Sequence, residues 1–223
     1  MLLFTGRTGS SHLMASLALN PAVCALGEIL PDLTPWTAQE QRVSELFGTA
    51  AAPILAVGFK TKLIDVASLD GFVQLLVRCQ ASVLHMVRKN PLKQALSELN
   101  ARRLHARRRV WNLRAGDPPL EPNHVEVGRL EGMIARIERR ESRLRAFVDR
   151  LPLRKRTVTY EALFHDERGT LARVCEFLEV PWAACTSDMQ KMSPDDLREL
   201  PNFAELREHF AGSAYAPLLE ERS

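Results

Sequence analysis

Leu2-Leu3-Phe4-Thr5-Gly6-Arg7-Thr8-Gly9-Ser10-Ser11-His12 is the stretch on which the fold turns. Leu2–Thr5 is a short apolar run that ends in a glycine loop. From His12 to Leu19 the apolar residues Leu13, Leu17 and Ala18 recur at helical spacing, and Pro21 stops the pattern. The order is strand, glycine loop, helix. Glycines in that position let backbone N–H groups converge on an anion, and the helix N-terminus adds a favourable dipole. Ser10 and Ser11 suit a helix cap or donation to phosphate oxygens. A tight strand–helix turn with a serine cap would use the same residues. The loop is not G-x-x-x-x-G-K-[ST], because no lysine precedes the serines, and this disfavours nucleoside-triphosphate hydrolysis. Arg7 instead puts a guanidinium fork into the loop, matched to an oxyanion.

Working outward, Ala22–Leu26, Ile54–Phe59, Ser82–Val87 and Thr157–Tyr160 read as further strands. Helices are expected near 37–47, over Leu69–Val77, from Asn90-Pro91 to about Trp111, over Glu126–Leu151 and over Gly169–Leu178, with residues 186–223 mostly helical. Leu130, Met133, Ile134, Ile137, Leu144 and Phe147 form one apolar stripe, which is core packing. Strands alternating with helices predict an α/β fold, a P-loop-like three-layer domain with a central, mainly parallel β-sheet flanked by helices. A length of 223 residues suits a single domain over 1–223, with the proline-containing break at 116–123 inside it.

The composition is that of an ordinary globular chain, with 46% hydrophobic and 26% charged residues. No apolar run approaches the roughly 18–20 residues that span a bilayer, and no membrane partner is expected. The net charge of +3 does not call for nucleic acid, although residues 101–114 carry six arginines and no acid. That stretch suits a solvated face or the steering of an anionic acceptor; no nucleic-acid reading module accompanies it. Cys24, Cys79, Cys175 and Cys185 form no CxxC pair, and the histidines and cysteines show no metal spacing. Reduced thiols and a cytoplasmic location are the expectation.

A second element carries anion chemistry. In His85–Ala101 a buried strand ends in Arg88-Lys89, Pro91 starts a helix, and Ser97 lies about two turns in. Strand ends of a doubly wound sheet face one crevice, so two cationic sites there suit a nucleotide phosphorylated at two separate places. Taken together, these motifs resemble the sulfotransferases that use 3′-phosphoadenosine 5′-phosphosulfate (PAPS). GRTGSS is similar to that family's loop for the 5′-phosphosulfate, and RKNPLKQALS to its strand–helix element for the 3′-phosphate. Val158–Leu163 followed by Leu171–Pro181 resembles its later strand and helix, and Asn202–Leu219 its C-terminal ending. The likeness is to bacterial and carbohydrate-type members with an arginine in the loop.

The resemblance implies that Gly6, Arg7, Thr8, Gly9, Ser10 and Ser11 cradle the 5′ end. Arg7 would also stabilise the charge that moves to the leaving group. Ser97 would hold the 3′-phosphate together with Arg88 or Lys89. His12 stands where many relatives place a large side chain against adenine, and would either stack on the base or pack within its helix. Glu28, after the second strand, is the candidate catalytic base, with Asp32 and His12 as the other possibilities. Lys60, Lys62 and Lys191 are weaker candidates for anion contacts, and His85 reads as a core histidine. The expected activity is transfer of a sulfuryl group from PAPS, without a metal, to a hydroxyl or an amine of a carbohydrate or small metabolite, leaving PAP (3′-phosphoadenosine 5′-phosphate). A P-loop-like nucleotide kinase and a catalytically silent nucleotide-binding or scaffold protein are the alternatives. The acceptor site is expected in residues 31–53 and 102–125.

Overall fold

The computed structural model describes residues 1–48, 52–184, 187–190 and 197–221. Cys185 and Lys191 lie outside the described residues. In chain order the strands are β1 (Leu2–Phe4), β2 (Val23–Glu28), β3 (Ala56–Thr61), β4 (Val83–Val87), β5 (Leu113–Arg114), β6 (Lys155–Thr159) and β7 (Met189–Gln190). The helices are α1 (Ser10–Ala18), α2 (Trp36–Gly48), α3 (Leu69–Arg78), α4 (Pro91–Arg108), α5 (Val127–Arg150), α6 (Tyr160–His165), α7 (Glu167–Leu178), α8 (Phe203–His209) and α9 (Ala216–Glu220). The chain divides into two compact units, Met1–Val87 with Glu141–Ser187 and Arg88–Arg140 with Asp188–Ser223.

The first unit holds a five-stranded sheet in the order β2-β3-β1-β4-β6, parallel throughout. β1 is central and buried on both faces, because strand side chains alternate. Leu2 and Phe4 pack with Leu13, Met14 and Leu17 of α1 and with Leu171 and Val174 of α7. Leu3 faces the other way, among Phe59, Phe72, Leu75, Leu76 and Phe147. Helices therefore cover both faces, as the run of β-branched and aliphatic strands predicts.

The second unit is built on α4 and the first part of α5. Leu92, Ala95 and Leu96 pack against Leu130, Met133, Ile134 and Ile137, with Leu206, Phe210 and Leu219 added from the C-terminal region. Asn202 bonds the backbone of Val125 in both directions, at 3.0 and 2.8 Å. The 130–147 stripe is buried along its length, but it serves two cores: Leu144 and Phe147 belong to the first unit. The 116–123 break falls inside the second unit rather than at a boundary.

The structure corrects several boundaries. β2 and β3 run two residues further than the apolar pattern, so Glu28 and Lys60 are strand residues rather than loop residues. The polar ends of these parallel strands pair as backbone while carrying charged side chains, which hydropathy cannot see. α4 ends at Arg108, where Arg109 adopts a left-handed conformation at φ 59°. The last region is less helical than its composition suggests, because Met189–Gln190 pairs antiparallel with Leu113–Arg114. Two-residue strands carry no period to read.

Phe59 is fully buried among Leu3, Phe72 and Phe47. Phe59→Ala should destabilise the protein by about 3–5 kcal/mol. Denaturant unfolding checks this, and a loss below about 1 kcal/mol would mean the site collapses freely.

Candidate active site

In the first unit the loop after β1 turns through the left-handed region three times, at Gly6 (φ 97°), Arg7 (φ 55°) and Gly9 (φ 84°). Gly9 occupies the N-cap of α1 without a side-chain cap, and its carbonyl accepts from Leu13 N at 3.0 Å. A Cβ on Gly9 would come within 3.0 Å of Tyr160 and 3.2 Å of Met86. The glycine is thus required by both conformation and space. Thr8 is fully buried, and its Oγ1 has no hydrogen-bond partner among the described residues. A buried hydroxyl without a partner costs about 1–3 kcal/mol, a cost that an acceptor atom would remove. An oxyanion at the loop would supply one.

Two further strands bring charge to this loop. Lys60, only 8% exposed on β3, donates to Ser11 Oγ at 2.6 Å and lies 3.6 Å from Glu28 Oε1. Lys62 bonds Glu28 Oε2 directly and lies 3.3 Å from Asp65. Both ammonium groups sit over the Phe4 ring, at 5.0 and 5.3 Å. Burial lowers the Lys60 pKa below the ordinary lysine value; the Glu28 charge opposes this, while Lys62 and Arg7 add to it. Burial also pulls Lys62 down, but hydrogen bonds and charge from Glu28 and Asp65 hold it above the ordinary value. Glu28 is therefore bracketed by two cations, one of which reaches the loop.

The other expected residues fall as follows. Ser10 is buried and Ser11 and Arg7 are half-buried. His12 is buried, with Nε2 2.6 Å from Glu167 Oε1, Nδ1 2.8 Å from Ser187 Oγ and its ring against Phe164. Asp32 adopts φ 70° in the turn after β2. An open groove lined by Ile29, Pro31, Leu33, Ala38 and Arg42 begins one residue beyond Glu28 and runs into the stretch 31–53 expected to hold the acceptor. In the second unit Arg88 and Ser97 are buried, whereas Lys89 is exposed. Asn90 caps α4 by accepting from Lys93 N at 2.9 Å.

Residues 75–184 match the sequence model of the sulfotransferase family. Nodulation protein H of Rhizobium tropici is 27% identical over 236 residues, covering 99% of this chain and 92% of that protein. The chain is thus similar in sequence to sulfotransferases. Its fold is also that of solved sulfotransferases. The structure of a sulfotransferase from Alicyclobacillus acidocaldarius has a TM-score of 0.51 at 17% identity, covering 98% of this chain and 94% of that one. The sulfotransferase domain of the Synechococcus PCC 7002 olefin synthase has a TM-score of 0.50 at 20% identity, over 82% of this chain and 73% of that domain.

Several residues of this chain gain weight only from the structure. Lys60, only a weaker candidate for anion contacts in the sequence, is buried against the loop serine. Lys93, buried and four residues before Ser97, shares its helix face. Glu141 lies 136 residues from the loop in sequence, yet its Oε2 accepts from Thr5 Oγ1 at 3.2 Å, and its Oε1 lies 3.0 Å from His85 Nε2. The His85 contact is not aligned as a hydrogen bond, so His85 is a core histidine set against a carboxylate rather than a satisfied one.

Gly9→Ala should cost about 1–3 kcal/mol from backbone strain alone. It should also weaken binding of an oxyanion at the loop, because the loop must move away from Tyr160 and Met86. Thermal unfolding and calorimetry report the two effects separately.

Proposed function

We propose that this protein transfers a sulfuryl group from PAPS to a hydroxyl, or less readily an amine, of a carbohydrate or small metabolite, and that its two units act as one sulfotransferase domain over 1–223. The observation that carries the reading is the chain of contacts Glu28–Lys60–Ser11. It ties a carboxylate at one parallel strand end to an anion-shaped loop at another. A kinase reading has no comparable support, since the loop lacks a lysine before its serines.

PAPS supplies an activated sulfuryl group on its 5′-phosphate. The residues of this chain divide the remaining work. Backbone N–H groups of Gly6–Ser11, with the Thr8, Ser10 and Ser11 hydroxyls, hold the 5′ end. Arg7 offers its fork to the oxygen that gains charge as the S–O bond to the phosphate breaks. Lys60 is placed to exchange Ser11 for a sulfuryl oxygen. Glu28 takes the proton from the acceptor hydroxyl as its oxygen bonds to sulfur, and the ammonium groups of Lys60 and Lys62 hold the carboxylate in position for that step. His12, held by Glu167 and Ser187, keeps the first turn of α1 in place instead of contacting the base. Arg88, Lys89 and Ser97 take the 3′-phosphate, Arg88 and Ser97 from buried positions and Lys89 from the surface. The transfer is an in-line displacement in which positioning and charge supply most of the rate, and no metal is assigned a role.

Two measurements test this. PAP should bind without added metal and at least about tenfold more tightly than AMP, a difference of about 1.4 kcal/mol. Equal affinities in calorimetry would remove the 3′-phosphate site. Glu28→Gln keeps shape and hydrogen-bond acceptance but cannot take a proton. It should lower kcat by roughly 10²–10⁴, abolish the acidic limb of the pH–rate profile and leave PAP affinity near normal. A wild-type kcat would move the base to Asp32 or His12.

A further inference from the structure

The arginine-rich end of α4 is not used by the site described above. It lies wholly in the second unit. Some of its arginines are committed: Arg102 pairs with Glu98 at 3.0 Å, Arg103 bonds Asn100, Asn123 and the Glu121 carbonyl, and Arg108 donates to the Pro118 carbonyl at 2.9 Å. The exposed side chains of Arg107, Arg109 and Arg114 have no hydrogen-bond or ion-pair partner among the described residues. Burial and then the neighbouring Arg107 charge lower the Arg103 pKa below its ordinary range, as expected where cations meet without an acid between them. The acids at hand are Asp117, which caps the Arg114 amide, and Glu121.

The same tip shows apolar surface. The left-handed Arg109 turns the chain out of α4, and the next two residues, Val110 and Trp111, are 44% and 50% exposed. The Trp111 ring stacks on His105 at 4.2 Å with 15° between planes. Uncompensated arginines alone would suit any polyanion. An exposed aliphatic and an indole in the same turn, flanked by those arginines, match the layered chemistry of a bilayer surface, where cations meet anionic headgroups and tryptophan sits at the acyl boundary.

We propose that the tip formed by Arg107, Arg109, Val110, Trp111 and Arg114 docks the protein on an anionic phospholipid surface. This goes beyond the sequence expectation of no membrane partner, which rested on the lack of a spanning run; surface docking needs no such run. The proposal is independent of the activity assigned above.

The test is co-sedimentation of the full chain with vesicles of phosphatidylcholine alone or mixed with phosphatidylglycerol. The protein should bind the mixed vesicles, more weakly as salt rises, and not the neutral ones. Arg107→Glu with Arg109→Glu should weaken partitioning at least about tenfold, and Trp111→Ser should weaken it several-fold while salt sensitivity remains. Melting curves accompany each variant; should charge reversal lower the melting temperature, Arg107→Gln with Arg109→Gln serves instead. Absence of vesicle binding, or unchanged binding in the arginine variants, overturns the proposal. So does a Trp111→Ser variant that binds vesicles like wild type while charge reversal abolishes binding of both vesicles and soluble heparin, since that pattern marks a plain polyanion site.

Discussion

The candidate site depends on a backbone that can pass through left-handed conformations between a strand and a helix that are both buried. β1 has side chains in both cores and cannot shift, and α1 is pinned by Leu13 and Leu17 beneath it. The few residues between them must reverse direction in a small space. Gly6 and Gly9 do so without strain, and Arg7 accepts φ 55°. The result is a glycine loop that leads into the N-terminus of a buried helix, a setting in which backbone amides can meet an oxyanion. A side chain at Gly9 would disturb this from below, through Tyr160 and Met86.

The electrostatics follow from the parallel order of the sheet. Because β3 lies between β1 and β2, the lysines at the end of β3 stand between the loop after β1 and the carboxylate at the end of β2. Lys60 is largely removed from water and is stabilised by contacts to Glu28, Ser11 and the Phe4 ring. Leaving such a cation without partners would be costly, and the Glu28 carboxylate 3.6 Å away offsets its burial. The same arrangement makes Lys60 a group that can change partner when an anion reaches Ser11.

Glu141 shows how a distant helix supports the loop. It accepts from Thr5, the residue immediately before Gly6, and faces His85 on the neighbouring strand β4. The root of the loop is thereby tied to the second half of α5, whose Leu144 and Phe147 sit in the core beneath it. Loop, helix and sheet are coupled by a polar contact on top of an apolar one.

Much of this was legible in the residues themselves. Alternating apolar runs and helical stripes carry the α/β class, because each element must bury one face and says so in its period. GRTGSS and RKNPLKQALS carry the loop and the capped helix, because glycine, proline and asparagine are punctuation with a local cause. Where Glu28 and Lys60 sit was decided only by the tertiary structure. Both lie on strand residues beyond the apolar run, and their meeting depends on strand order rather than on spacing along the chain. The burial of Lys60, the Thr5–Glu141 contact across 136 residues, and the pairing of Leu113–Arg114 with Met189–Gln190 have no local signature. Periodicity and turn chemistry report on a residue's near neighbours, whereas charge pairing reports on whichever strand or helix the folded chain brings alongside.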